Sequence, residues 1–210
     1  YFVPFENVEK MIETMNRLLR YGVMGSVADE ILALNNFNLA AILAEKWLEE
    51  FETLRKSLPP WMLIFCIAGY RRAEERVKVQ ENCLMEIAQE LALEPTQSMP
   101  GAPGKEKMML ELLSKPWSKE PYWKLRYKGS CCEIFFLAPP SKVARLISPM
   151  YEVAVKYGYP TSDIGCYIQS IVQGHAYHVE FDLPYNPTDP KEVEITRKVF
   201  MDASDLLMRM

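Results

Sequence analysis

The same order of predicted elements occurs twice along the chain, and this duplication limits the folds open to it. Each half reads as strand, helix, strand, strand, helix, over about 1–93 and 122–210. The first helices share apolar positions in VEKMIETM and VARLISPM, and a Tyr-Gly pair closes each of them, Tyr21-Gly22 and Tyr157-Gly158. Unrelated amphipathic helices also share such positions, so it is the repeated order of elements that favours duplication.

The duplication predicts an α+β fold in which two ferredoxin-like halves form a mainly antiparallel sheet with helices on one face. We expect one domain over 1–210, with the Pro- and Gly-rich stretch EPTQSMPGAPG and a short helix as a linker at 94–121. A single helix is expected over 37–58, capped by Asn36 or Asn38. A single strand is expected over 122–138.

Charge and cysteine content exclude several classes of function. The formal net charge of −4 comes from interspersed residues of both signs, without the basic stripe that binds nucleic acid. The longest apolar run, 61–69, is too short to span a membrane. Five cysteines, with Cys131 and Cys132 adjacent in a predicted strand, favour free thiols in a reducing compartment. We therefore expect a soluble, cytoplasmic protein.

Both ends of the sequence lie inside predicted elements. The chain enters a strand at Tyr1 and reaches Met210 within a helical pattern that has no stop signal. We expect it to be a piece of a larger protein.

A row of polar residues follows one face of the predicted strand HAYHVEFDL. Strand alternation sends Tyr177 to a core face and His178, Glu180 and Asp182 to the other face. His175 falls on the face opposite His178, which argues against a two-histidine metal site, and no metal is expected.

Two further predicted strands carry polar residues at alternating positions. Tyr167 and Gln169 share a face of one strand, and Cys131 and Glu133 share a face of another. Taken singly, each such residue is explained by a solvated sheet face. Taken together, they either meet water or line a site shared with another domain.

Motifs of common enzyme classes are missing from the sequence. It contains no G-x-G-x-x-G, no P-loop and no G-x-S-x-G. Gly101 and Gly104 are flanked by prolines and read as turn residues. The sequence holds no complete catalytic constellation.

Several segments, in order, carry a resemblance to a known family. CCEIFFLAPPSKVARLISPMYEVAVKYGY has an aromatic strand ending in Ala138-Pro139 and a helix ending in Tyr-Gly. The next segment is HAYHVEFDLPYNPTDP, which contains Tyr177-His178-Val179 and a Pro-rich turn. In the first half of the chain, the segments that carry the resemblance are FVPFENVEKMIETMNRLLRYG and WMLIFCIAGYRRAEERV. The chain resembles the cap, or substrate, domain of FAD-linked oxidases of the vanillyl-alcohol oxidase and para-cresol methylhydroxylase family.

This resemblance implies a function for the polar face. The cap would cover an FAD held by a separate domain of the same protein, and an alcohol or phenolic substrate would be oxidised by hydride transfer to that flavin. The residues implied to face substrate or flavin are His178, Glu180, Gln169, Tyr167 and Glu133, with Tyr127 at the margin.

The resemblance also bears on the cofactor and on the activity of the chain alone. Some family members attach FAD through a His or Tyr near the strand here at 126–136. No His lies there and Tyr127 is about one residue out of register, so we expect non-covalent FAD. The chain alone is expected to be inactive, and a homodimer is compatible with this interpretation.

A second interpretation needs no flavin. Sheet domains with helices on one face also serve as non-catalytic ligand-binding or dimerisation modules, and the fold alone does not separate the two functions.

Overall fold

The structure is a computed structural model that describes residues 1–20, 26–115, 122–171 and 174–210. The N-terminal half contains β1 (Phe2–Phe5), α1 (Val8–Leu19), β2 (Glu30–Asn35), α2 (Asn36–Leu43), α3 (Glu49–Ser57), β3 (Trp61–Cys66) and α4 (Ala73–Leu91). After α5 (Glu106–Ser114), the C-terminal half contains β4 (Ser130–Ala138), α6 (Pro140–Tyr157), β5 (Gly165–Ile171), β6 (Ala176–Tyr185) and α7 (Pro190–Met208). The predicted α+β class is confirmed.

Six strands form one antiparallel sheet in the order β1-β3-β2-β5-β6-β4. Within each half, the third strand lies between the first and the second. The halves join where β2 pairs with β5, through Leu32↔Gln169, Ala33↔Ile168 and Leu34↔Tyr167. This topology is the one expected of two halves with the same element order.

Strand alternation divides the apolar residues between two cores. Helices α1, α4, α6 and α7 pack on one face of the sheet, against Leu63, Val179 and other residues from both halves. On the second face, α2, α3 and α5 cover mainly the N-terminal half, where they pack against Leu32, Leu34 and Met62, and α2 also reaches β5 and β6 through Asn38. The expected one-sided covering therefore describes the C-terminal half, and the N-terminal half carries helices on both faces.

Two local predictions were wrong. The helix expected over 37–58 is two helices, separated near Leu48, which has a φ of 70°. Its cap is Asn35, whose side chain accepts a hydrogen bond from the amide of Asn38. The strand expected over 122–138 begins only at Ser130, after a 3₁₀ turn at Trp123–Leu125.

Helix ends follow ordinary capping rules. Asn7 and Asp189 cap α1 and α7 with side-chain oxygens, and Gly158 ends α6 with a φ of 71°. The Tyr21-Gly22 pair lies outside the described residues. Within the described ranges, no helix combines the length and the apolar character that a membrane crossing needs.

Candidate functional site

The second face of the sheet over β5, β6 and β4 carries the predicted polar residues. It is exposed at Phe135 and Leu137, whereas Glu180 and Asp182 are largely buried on it. One row of neighbours across these strands is Phe135, Glu180 and Tyr167. The next row is Leu137, His178 and Gln169, and Glu133 lies opposite Asp182. The strand register thus brings five of the six predicted residues together.

A lysine from outside the sheet lies at the centre of this face. Lys124, on the 3₁₀ turn, places its Nζ 2.6 Å from Glu133 Oε1 and 3.0 Å from Asp182 Oδ1, and it also contacts Glu180 Oε1. Its side chain is only 7% exposed. Burial alone would lower the pKa of Lys124, but the charge of Asp182 and the hydrogen bonds to Glu133 and Glu180 raise it well above its usual value. Lys124 is therefore a permanent cation.

The two carboxylates of β6 respond differently to this environment. Burial raises the pKa of Asp182 from 3.8 to about 6, against the lowering effect of Lys124, and the charge of Glu180 adds to the increase. Burial would also raise the pKa of Glu180, but hydrogen bonds from His178 and Lys124 lower it to about 2. Glu180 is ionised at neutral pH, whereas Asp182 titrates close to neutral pH.

A side-chain amide also holds Asp182 in place. Asn38 Nδ2 donates to Asp182 Oδ2 at 2.7 Å, and the side chain of Asn38 is fully buried. Asn38 Oδ1 has no hydrogen-bond partner and lies so close to Gly165 that a Cβ there would be only 2.0 Å away. Glycine at 165 therefore leaves the space that the Asn38 side chain occupies.

His178 pairs with Glu180 and lies between two aromatic rings. Its Nε2 is 2.9 Å from Glu180 Oε2. The ring stacks on Phe135 at a centroid distance of 5.7 Å and meets Tyr167 at 5.6 Å. A carboxylate on one nitrogen fixes the orientation of the imidazole, as in general acid–base sites.

A polar chain extends from this pair toward the N-terminal half. The Tyr167 hydroxyl donates to Gln169 Oε1, and Gln169 Nε2 donates to Glu30 Oε1 at 2.6 Å. Burial, with the charges of Glu30 and Glu180, raises the pKa of the Tyr167 hydroxyl, so it remains a neutral phenol.

Tyr127 is not part of this group. Its ring packs against Phe37, Phe51 and Trp47 at centroid distances of 5.4, 5.1 and 6.4 Å. These residues belong to the second core, beneath α2 and α3.

The three carboxylates have the spacing of a cation site. Oxygens of Glu133, Glu180 and Asp182 lie within 4.8 Å of one another. The ammonium group of Lys124 already contacts all three. These carboxylates therefore have a cation partner without any metal ion.

Sequence reasoning missed Lys124, Asn38 and Glu30 as residues of this face. Asp182 was placed on the correct face by alternation, but its role in holding Lys124 was not foreseen. Lys124 reaches the cluster from a turn in a stretch that was expected to be a strand, so periodicity carried no signal for it.

Comparisons of the sequence with family models and with curated proteins found no match. Solved structures do match. The fold superposes on 4-ethylphenol oxidase from Gulosibacter chungangensis, in its isoeugenol complex, with a TM-score of 0.59 and 14% identity, over 99% of this chain and 42% of that one. It also superposes on an alkyldihydroxyacetonephosphate synthase with a TM-score of 0.54 and 12% identity, over 98% of this chain and 38% of that one.

The chain thus spans about two fifths of the length of each of these solved chains. The fold is that of part of an oxidase and part of a synthase. The resemblance expected from the sequence is therefore supported at the level of the fold alone.

Proposed function

We propose that this chain is the substrate-pocket cap of an FAD-dependent oxidoreductase that oxidises an alcohol or phenolic substrate. The observation that carries the proposal is the polar face of β5, β6 and β4, exposed at Phe135 and Leu137, on a fold shared with part of an oxidase named for 4-ethylphenol. In this proposal, FAD is held non-covalently by a separate domain of the same cytoplasmic protein. The chain supplies the roof of the pocket, and a homodimer is compatible with it.

The polar face has a surface suited to a flat ring. Phe135 and Leu137 are 61% and 64% exposed, next to Glu180 and His178 across the strand pair. An exposed aromatic and aliphatic surface beside a charged pair is what a planar heteroaromatic ring with a polar edge would pack against. When bound, the flavin would supply the hydride-accepting chemistry.

The residues of this chain would orient the substrate and handle a proton. His178 would exchange a proton with the substrate hydroxyl, because Glu180 holds its imidazole in one orientation. Lys124 would keep Glu180 ionised through its own contact with that carboxylate. Tyr167 and Gln169 would fix the polar edge of the pocket by their mutual hydrogen bond.

A flavin experiment tests this proposal. The full-length protein that contains this chain should bind FAD, whereas the 210-residue chain alone should be colourless and inactive. In the full-length protein, His178→Ala should lower kcat/KM by about a hundredfold, the lower end of the effect of a general acid–base group. His175→Ala, at an exposed histidine just before β6, is the matched control and should change little.

A second variant separates catalysis from stability. Glu180→Gln should also lower turnover, but Glu180 is only 12% exposed and contacts Lys124, so this variant should lose stability as well. His178→Ala, which leaves the Lys124 contacts in place, is therefore the cleaner test. A full-length protein that binds no flavin would favour a non-catalytic ligand-binding or dimerisation module. Full activity of His178→Ala would remove the site assignment.

A further inference from the structure

A cavity lies beside the His178–Glu180 pair, between the sheet and the elements that cover it. Its volume is about 410 Å³, within the range of about 300–1,000 Å³ that is usual for small-molecule sites. Leu32 and Leu34 of β2 form part of its floor, and Leu112 and Leu113 of α5 form part of its roof. The body of a ligand would therefore meet mainly apolar side chains.

One end of the cavity is acidic. Glu30, Gln169 and Glu180 line it there, and Gln169 Nε2 donates to Glu30 Oε1 at 2.6 Å. Among the residues that the structure describes, no ion pair joins Glu30 to a lysine, arginine or histidine, whereas Glu180 contacts both Lys124 and His178. Within the described ranges, Glu30 is thus a half-buried carboxylate with no cation at ion-pair distance.

The charges around this end do not balance. Among the described residues that line the cavity, Lys124 is the only cation, and it is shared among Glu133, Glu180 and Asp182. The negative charge of Glu30 adds to the charges of these three carboxylates. The charges of the described residues around this end therefore sum to a negative value. After burial, Glu30 and Glu180 both raise the pKa of the Tyr167 hydroxyl, and Lys124 opposes them.

Aromatic rings complete the acidic end. Tyr122, Trp123 and Tyr167 line the cavity, and aromatic faces attract cations. The ammonium of Lys124 already lies 5.5 Å from the ring centroid of Trp123 and 6.0 Å from that of Tyr122. Rings and carboxylates around an apolar cavity are the combination by which proteins recognise organic ammonium groups.

We propose that this cavity binds a small aromatic or aliphatic amine in its protonated form, with the ammonium group on Glu30 and the apolar body between β2 and α5. The proposal does not rest on the proposed function, because residues of this chain alone line the cavity. An anionic ligand is disfavoured here by the same charges that favour a cation.

A matched ligand series tests the proposal without any flavin. The probes are 2-phenylethylamine, 2-phenylethanol and 3-phenylpropionate, whose apolar bodies are alike and whose head groups are cationic, neutral and anionic. Binding to the chain is measured by calorimetry at pH 7 and low ionic strength. The amine should bind about tenfold or more tightly than the alcohol, the effect of a charge-assisted hydrogen bond, and the carboxylate should not bind.

Two variants locate the site. Glu30→Gln should remove the about tenfold advantage of the amine over the alcohol, while Glu74→Gln, at an exposed position of α4, should leave it unchanged. Leu112→Trp, which fills the cavity and keeps its charges, should weaken the amine and the alcohol alike. It tests the site even if Glu30→Gln fails to fold.

Three results would overturn the proposal: equal affinity for amine and alcohol, tighter binding of the carboxylate, or no binding of any probe at millimolar concentration. Amine binding by the chain together with a full-length protein that lacks FAD would remove the proposed function and leave this site. FAD binding by the full-length protein without amine binding by the chain would remove this site and leave the proposed function.

Discussion

Among single residues, Lys124 makes the most contacts within the polar face. It reaches three carboxylates on two strands from a turn that lies outside the sheet. Buried ion pairs gain little over an apolar packing of the same shape, but removing one partner leaves the others charged and unpaired. Lys124 is therefore more important for keeping the carboxylates ionised in place than for adding net stability.

Replacing this lysine should be costly. Lys124→Met removes the cation and leaves Glu180 and Asp182 buried beside each other, so we expect the free energy of unfolding to fall by about 3–5 kcal/mol. Lys107→Met, on an exposed part of α5, is the control and should change it by less than about 0.5 kcal/mol. Urea unfolding of both variants measures the difference. A loss no larger for Lys124→Met than for the control would contradict the role assigned to Lys124.

Asp182 should make stability depend on pH. Its folded-state pKa of about 6 lies above the ordinary 3.8, so its stabilising contribution is complete below about pH 3.8 and is lost as the pH rises through about 6. The difference between the two pKa values corresponds to a contribution on the order of 3 kcal/mol. Asp182→Asn removes this ionisation.

The variant should therefore gain stability relative to the parent chain between about pH 4.5 and pH 7. The pKa of Glu180 is lowered to about 2, so its stabilising contribution is lost as the pH falls below about 4.5. The comparison therefore stays above that pH. Urea unfolding of both proteins across this range measures the difference. A difference that is constant with pH would show that Asp182 ionises normally.

The sequence contained much of the information on which residues share this face. The period of two along a strand places His178, Glu180 and Asp182 on one side, and it does the same for Tyr167 and Gln169. Contacts from a distant turn have no such period. Lys124 and Asn38 meet Asp182 only through tertiary folding, so no local pattern could reveal them.

At the scale of elements, tertiary contacts explain the interrupted helix. No Gly or Pro separates α2 from α3, and the sequence pattern predicted one helix. In the structure, Arg126 donates to the carbonyl of Ala44 at 2.6 Å, and its guanidinium lies 4.6 Å from the ring centroid of Trp47. A residue about 80 positions away thus satisfies the carbonyl at the end of α2 in place of the next helical turn.

The shared apolar positions of the two halves are buried in the same core. Ile12 and Ile147 are both buried, and Met15 and Met150 are both fully buried beneath the same face of the sheet. The match between the two halves was visible in the sequence because the matched positions are core positions, which keep their period. The additional helices α2, α3 and α5 have no counterpart in the C-terminal half, so the repeat could not predict them.

At the scale of the whole molecule, one core crosses the boundary between the halves. Met11 and Leu63 from the N-terminal half belong to the same cluster as Ile134 and Val179 from the C-terminal half. The sheet is continuous across the β2–β5 pair. Neither half therefore buries its apolar face without the other, which supports the prediction of a single domain without testing it.

The chain should consequently unfold as one cooperative unit. We expect a single calorimetric transition in which the calorimetric and van't Hoff enthalpies agree. Ile168→Ala, at the fully buried residue paired with Ala33 across the boundary, should cost about 2–5 kcal/mol and lower the temperature of that single transition without splitting it. Because Ile168 lies in the core that both halves share, this loss of stability should affect β3 and β6 alike. Hydrogen exchange of amides in both strands should accelerate together. Two separate transitions, or faster exchange in β6 alone, would mean that the halves are independent units joined only at an edge.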